Sequence, residues 1–538
     1  MYGKMVKRLF AVLLVVVMLF SFAACGNNST QSNTQTSVAS TSAQTQTSTA
    51  AGDSSSTPAP VEPPTKLTLF VDESWWPYDK WEGAIPEEFN KLANVEITVT
   101  RAADDKQLPL MVASGDMTDL VDTGRYQYMA NSDASLALDT LHTDYPDVNF
   151  PVHSVRQFVN KMSDGHYYTI GCGYSPDSEY KGYNVASEGA GFFYREDIAQ
   201  KLGLSFNSLS DLDTSFAKVK EQAKDMTPIV FNYIHQFGWL RNMMGLPNGG
   251  YYDQGGSLTW YISADGMLDY YKKVNEWYRK GYISPDNFAY QTEDDTQKVA
   301  VSGKAFAVFG YDNHADNYNT AVDANGGGFK FKQVTDIISD TAKRYDNGAG
   351  WRGLYVTKSS KNIEAAYKTV AYAYSDEGMK LLMWGVEGTD YKLNDKGYPV
   401  FNYNFQGDNT VLQPRGLKYW GWLVHNTIVT GIADATSDTQ TAKARNAFAP
   451  FVIRNPVIGL IRFETDSQEQ VISAKLAEMI KTEEVKIYMA ESAAACEEAY
   501  KSMLEKAETI GLSKLVAYGN ETYKKLKPEY DKIAKSEN

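Results

Sequence analysis

Trp75, Trp76, Tyr78 and Trp81 fall within one short run, SWWPYDKW, directly after Asp72 and Glu73. Flat indole and phenol faces can cover the C–H faces of a sugar ring, while nearby carboxylates accept its hydroxyl protons. The same residues can also cap a helix or fill a core, and Asp72 and Glu73 equally suit a local turn. A second group, Trp239, Tyr251, Tyr252, Asp253 and Trp260, lies in the glycine-interrupted stretch FGWLRNMMGLPNGGYYDQGGSLTW. GYDNHADNY supplies Asp312 and Asn313 after an apolar run, and GAGWRGLYV supplies Trp351 and Arg352. The Arg352 guanidinium carries five donors in a fixed fork, suited to hydroxyls, to a uronate carboxylate, or equally to a core or hinge salt bridge. YWGWLVHN puts Trp420 and Trp422 at alternate positions, which share one face if the segment is extended. Those two, with Trp277 and Tyr278 of an amphipathic stretch, read first as packing residues.

Other chemistries find little support. No C-x-x-C, H-E-x-x-H or G-x-S-x-G occurs, and the six histidines are scattered, so neither a metal site nor a cofactor is expected. Glu73, Asp79 and Glu82 are neighbours in sequence, but the paired geometry of a glycosidase is a matter of separation in space. Cys172 and Cys496 suit either one bridge or two separate buried thiols. A formal net charge of -14 argues against a phosphate-backbone partner, so no nucleic acid is expected.

The elements that must carry these residues alternate. KLTLFVD (66–72), VEITVTR (95–101) and MTDLVDTG (117–124) read as strands, with AIPEEFNKLA (84–93) and KQLPLMVASG (106–115) as helices between them. That order predicts a parallel α/β lobe. A second block runs from GAGFFYREDIAQKLGL, strand into helix, through the helices SLSDLDTSFAKVKEQAKD and GMLDYYKKVNEWYRKGYISP to the strand GKAFAVFGY. RGLYVTKSS and KNIEAAYKTVAYAYS then give another strand and helix, and 468–527 reads as mainly helical.

At the other end, Lys7-Arg8 precedes the apolar run 9–22 and the sequence Ala23-Ala24-Cys25-Gly26. The run is shorter than the roughly 20 residues of a membrane span and has the layout of a secretory signal. It resembles the lipobox of bacterial lipoproteins, with Phe22 where Leu is more usual, and the resemblance implies diacylglycerol on Cys25 as a membrane anchor. Residues 27–64 contain almost no large apolar side chain and read as a tether ending in proline-rich sequence.

LPLMVASGDMTDLVDTG, GFFYREDIAQKLGL, GKAFAVFG and LYVTKSSKNIEAAYKTVAYAYSDEGMKLLMWGVEG, with the helical end AEMIKTEEVKIYMA, occur in an order that resembles the family 1 extracellular solute-binding lipoproteins. The family's Asn-Pro-Glu is Asn362-Ile363-Glu364 here, which leaves the helix start without a proline it does not require. The resemblance implies a two-lobe, type II periplasmic-binding-protein-like α/β fold with a hinge, mixed sheets flanked by helices and a helical C-terminal segment. It also implies an oligosaccharide ligand held between the lobes, delivery to ABC-transporter permease subunits, a monomer, and no enzyme activity. On that reading the chain divides into a signal peptide (1–24), lipidated Cys25 and tether (25–65), first lobe (66–180), second lobe (181–345), a return to the first lobe (346–400), and completion of the second (401–538). The expected site comprises Asp72, Glu73, Trp75, Trp76, Tyr78, Trp81, Trp239, Tyr251, Asp253, Trp260, Asp312, Trp351 and Arg352. The expected location is the outer face of the cell membrane in a Gram-positive-type bacterium. A peptide-binding transport lipoprotein is the nearest alternative, and a surface-anchored glycoside hydrolase a more distant one.

Overall fold

Residues 63–180, 182–186, 188–232, 237–290, 292–405, 409–464 and 466–537 are described by the computed structural model. The signal segment, Cys25 and nearly all of the tether lie outside the described residues. In chain order the strands are β1 (Thr65–Val71), β2 (Val95–Arg101), β3 (Leu120–Thr123), β4 (Ala190–Arg195), β5 (Thr227–Phe231), β6 (Tyr251–Asp253) and β7 (Leu258–Trp260). They continue with β8 (Ala305–Tyr311), β9 (Phe331–Gln333), β10 (Arg344–Asp346), β11 (Gly353–Val356), β12 (Tyr391–Leu393), β13 (Pro399–Phe401) and β14 (Val452–Arg454).

The alternation predicted for 66–124 forms as read. β1 runs parallel to β2 and to β3, with the helices Ala84–Ala93 and Gln107–Ser114 as crossovers. β11 then adds antiparallel to β3, giving a mixed sheet in the order β11-β3-β1-β2. At the edge, β2 alternates buried Val95 and Ile97 with exposed Glu96 and Thr98, the pattern of a strand with one wet face. β3 is buried throughout, Asp122 included, and a carboxylate in that position requires a partner.

The second sheet has the order β5-β8-β4-β9. β8 is parallel to β5 and antiparallel to β4, and its AFAVFGY is buried up to the last residue. Between β4 and β5 stands the helix Leu209–Gln222, where the Asp211 carboxylate accepts from the Ser208 N–H at 3.0 Å, a reciprocal N-terminal cap. The helix Met267–Arg279 buries Met267, Tyr270, Tyr271, Val274 and Trp277, one face at helical spacing. Trp277 stacks on Phe309 with centroids 6.2 Å apart, which makes it a packing residue.

Each sheet has its own core, and the chain shares itself between them less tidily than the sequence suggested. Leu67, Leu69, Val71, Leu120, Leu354 and Val356 form the first core together with Trp384 and Trp420. The segment 405–433, expected in the second lobe, supplies Phe405, Leu412, Leu423, Ile428 and Ile432 to this first core. Trp384 Nε1 fixes it by donating to the Val429 carbonyl at 2.9 Å. Conversely, Val155, Phe158 and Val159, within the span assigned to the first lobe, pack into the core of the second sheet. The C-terminal helices Gln468–Tyr488, Ala493–Ile510 and Leu512–Ser536 complete that core with Leu476, Ile487, Met503 and Leu515. Apolar periodicity marks a buried face but does not say which core buries it. Cys172 and Cys496 are separate buried thiols. Among the described residues, no helix is long and apolar enough to cross a membrane.

Candidate ligand-binding site

β1 and β3 lie side by side and end at Val71 and Thr123, where the chain turns over the carboxyl edge of the first sheet. In open α/β sheets this edge carries the ligand crevice. Asp72, the first residue past β1, is buried and accepts from Thr123 Oγ1 at 2.6 Å and from Arg125 Nε at 2.7 Å. It therefore ties one turn to the next.

Arg352 enters from the start of β11 and is fully buried. Its Nε donates to Asp122 Oδ1 at 3.0 Å and its Nη2 to Asp122 Oδ2, a bidentate pair. Burial works against the guanidinium charge, but Asp122 outweighs it and holds the pKa above the ordinary arginine value. The planar head lies 4.7 Å from the Trp76 ring and 4.8 Å from the Trp351 ring. Nη1 makes no hydrogen bond and points toward Glu73, with Oε1 3.6 Å away. Burial raises the Glu73 carboxyl above the usual carboxylate value, while Arg352 and a hydrogen bond from the Trp75 indole pull it down.

Of the four rings in SWWPYDKW, one faces outward. Trp75 is 52% exposed, whereas Trp76, Tyr78 and Trp81 are buried. Trp76 packs 6.0 Å from Trp420, Tyr78 donates its hydroxyl to the Leu417 carbonyl at 2.8 Å, and Trp81 Nε1 donates to Asn90 Oδ1 at 3.0 Å. Trp420–Leu423 is a 3-10 turn rather than an extended segment, so Trp420 and Trp422 do not share a face. Trp420 is buried and Trp422 is half-buried, its centroid 6.1 Å from Trp75 and 4.8 Å from Tyr419. Trp351, 43% exposed, adds a third accessible indole. It rests over Gly173, whose φ is 75° and where a Cβ would lie 3.0 Å from the Trp351 ring and 3.9 Å from His425. Only glycine is at ease in that conformation at that contact. His425 bonds Thr430 Oγ1 through Nδ1 at 2.7 Å, and burial lowers its imidazole to about 4.

The second sheet contributes a polar cavity of about 430 Å³ where β4 begins and β8 ends, with Glu188, Arg241, Asn242, Tyr311, Arg344 and Glu484 in its wall. Asp312 stands beside it and is fully engaged. It accepts from Gly189 N–H at 2.8 Å and from Arg445 Nε and Nη2 at 3.1 and 2.7 Å. Arg445 also pairs with Asp434 at 2.8 Å and Glu188 at 3.2 Å. Burial raises the Tyr419 phenol, and the charge of Glu188 raises it further. Glu188 thus stands within electrostatic reach of the ring that abuts Trp422.

The structure therefore brings Glu73, Trp75, Trp351 and Arg352 together and places other candidates elsewhere. Trp239 lies in the second core, 5.0 Å from Phe192. Tyr251 donates to the Leu515 carbonyl at 2.6 Å and meets Trp260 edge-on at 4.8 Å. Asp253 accepts from Gly256 N–H at 2.7 Å in the same hairpin. That hairpin packs on the helix Leu512–Ser536. Asp122, Glu188, Tyr419 and Arg344 escaped the sequence reading. Asp122 alone left a signal there, a carboxylate inside an otherwise apolar strand. Among the described residues, no group of three or more His, Cys, Asp or Glu is placed to hold a metal ion.

No family model and no curated protein matches the sequence. Solved structures do match. The alginate-binding protein AlgQ2, solved without calcium ion, superposes with TM-score 0.60 at 17% identity, over 86% of this chain and 99% of that one. An extracellular solute-binding protein from Bifidobacterium longum subsp. infantis gives TM-score 0.62 at 16% identity, over 86% and 98%. This is the solute-binding-protein fold. The S. pneumoniae ABC-transporter substrate-binding protein FusA, in complex with kestose, gives TM-score 0.61 at 15% identity over 86% and 100%. At these identities the likeness establishes the architecture alone: mixed sheets flanked by helices, as expected from the sequence.

Proposed function

We propose that the protein captures an oligosaccharide outside the cytoplasm and passes it to the permease subunits of an ABC importer. The observation that carries this reading is the grouping of Trp75, Trp351 and Trp422 around Glu73 and Arg352 at the carboxyl edge of the first sheet. Accessible indole faces next to a donor and an acceptor suit a ligand whose surface is half C–H and half hydroxyl. The sugar ligands named for several proteins of this fold point the same way.

In this proposal the ligand lies between the two sheet-centred lobes, with the aromatic group on one side and the polar cavity near Glu188 and Arg344 on the other. Closure about a hinge buries it, and affinity follows from the preference of the ligand for the closed state. Cys25 carries the lipid that holds the protein at the outer membrane face, and the tether gives it reach. Within the site, Trp75, Trp351 and Trp422 stack, and Glu73 and Arg352 bond hydroxyls. Asp72, Trp76 and Asp312 position their neighbours.

Calorimetric titration against a panel of plant and host oligosaccharides, with each mixture checked for hydrolysis products, tests the proposal. Micromolar or tighter binding with the sugar intact supports it. Binding of peptides in place of sugars, or turnover of the glycan, overturns it.

A further inference from the structure

Arg352 is held in one orientation by three contacts. Asp122 grips it bidentately, and the Trp76 and Trp351 rings lie 4.7 and 4.8 Å from its guanidinium carbon. The side chain is 0% exposed, so it has no freedom to swing toward a ligand. One nitrogen, Nη1, is left without a hydrogen bond, and the nearest acidic oxygen is Glu73 Oε1 at 3.6 Å. The Trp75 indole acts on Glu73 by favouring its charged form, and Trp75 is the most exposed ring of the group.

Nη1 is covered in this structure, so a ligand group reaches it only where the exposed Trp75 or Trp351 ring shifts aside, and it then arrives beside a carboxylate. Two ion pairs stand beside Glu73, Arg352 with Asp122 and Arg125 with Asp72, while Arg101 donates to the Trp76 carbonyl at 2.6 Å. Asp122 and Asp72 are each consumed by one of the arginines, so Glu73 is the carboxylate left over. A hydroxyl suits this pair, because it accepts from Nη1 and donates to Glu73 in one bridge. A carboxylate or sulfate accepts only, and beside Glu73 it meets a like charge at close range.

We propose that Glu73 is a charge-selecting residue that makes this subsite specific for neutral saccharides, with uronate-bearing and sulfated ones rejected. The proposal rests on the carbohydrate reading above and narrows its ligand class. Selectivity comes from a repulsive element as much as from the attractive one. Arg352, which in sequence suits a uronate carboxylate, is turned by its surroundings into a hydroxyl donor.

The test compares neutral xylo-, cello- and malto-oligosaccharides with oligogalacturonates and oligomannuronates, by calorimetry on the full protein and on Glu73→Gln. Glutamine keeps an acceptor for the Trp75 indole and removes the charge. Thermal unfolding verifies that the variant is folded. The expected result is a neutral oligosaccharide bound at least tenfold more tightly than any oligouronate by the native protein, and a gap narrowed by tenfold or more in Glu73→Gln. An oligouronate bound as tightly as the best neutral sugar, or a ratio unchanged in the variant, overturns the inference and leaves the carbohydrate reading standing. Failure of every saccharide to bind overturns both. A Kd for the neutral sugar that is flat with ionic strength while residual oligouronate binding strengthens in salt supports the charge origin, since salt screens a repulsion.

Discussion

The indole rings of Trp75 and Trp422 meet with centroids 6.1 Å apart and planes inclined at 59°, although the two residues lie far apart in the sequence. One follows β1, and the other belongs to the turn Trp420–Leu423 that the first core draws in. The two rings stand at an angle, with Trp76 and Trp420 as their buried backing.

Trp75→Ala is expected to weaken saccharide binding about tenfold, the scale of one aromatic contact of ~1–1.5 kcal/mol. Trp422→Ala is expected to act similarly, with less than additive loss in the double variant because the rings touch. Calorimetry on the three variants measures this, and thermal unfolding is expected to show little change for the exposed Trp75.

Asp122→Asn is expected to destabilise the protein by ~3–5 kcal/mol. It leaves the Arg352 charge buried without its main partner. Denaturant unfolding reads the loss. Glu73→Gln, at a pair only 3.6 Å apart and partly open, is expected to cost under ~1 kcal/mol in the same experiment.

His425 predicts an acid limb of stability. Its folded pKa is depressed to about 4 by burial, against an ordinary 6.5, so the fold keeps the neutral imidazole while the unfolded chain takes up a proton. Stability from this group is full above pH ~6.5 and is lost as pH falls toward 4, by up to ~3 kcal/mol. His425→Gln is expected to flatten that part of the profile in melts run across pH.

Gly173→Ala is expected to weaken binding and stability together. The new methyl lies 3.0 Å from the Trp351 ring, and φ of 75° is strained for alanine by roughly 1 kcal/mol or more. Calorimetry and thermal unfolding of the variant read the two losses.

The strands and crossovers of 65–123 were legible because apolar alternation, helix formers and turn residues agree there. The ligand group was legible only in part. Trp75 and its buried neighbours Trp76, Tyr78 and Trp81 are alike as sequence, and which one faces outward is decided by Trp420 and Leu417, residues brought in from far along the chain. Asp312 suited a ligand by its place at a strand end, yet Arg445 claims it. Long-range partners of this kind leave no local pattern, and the same holds for the segment 405–433, whose apolar face fits either core.

That segment has a consequence for how the polypeptide acquires its shape. The core around Leu67, Val71 and Leu120 contains Leu423, Ile428 and Ile432, so the first sheet has no complete wall until residues near 433 have been synthesised. Closing so long a loop is slow, and until then the apolar side of β1 and β3 stands open. A nascent chain stopped after the second sheet's β9 thus exposes the very surface on which a holding chaperone would act, whereas one extended beyond residue 433 can close the first core while the second still waits for the three C-terminal helices.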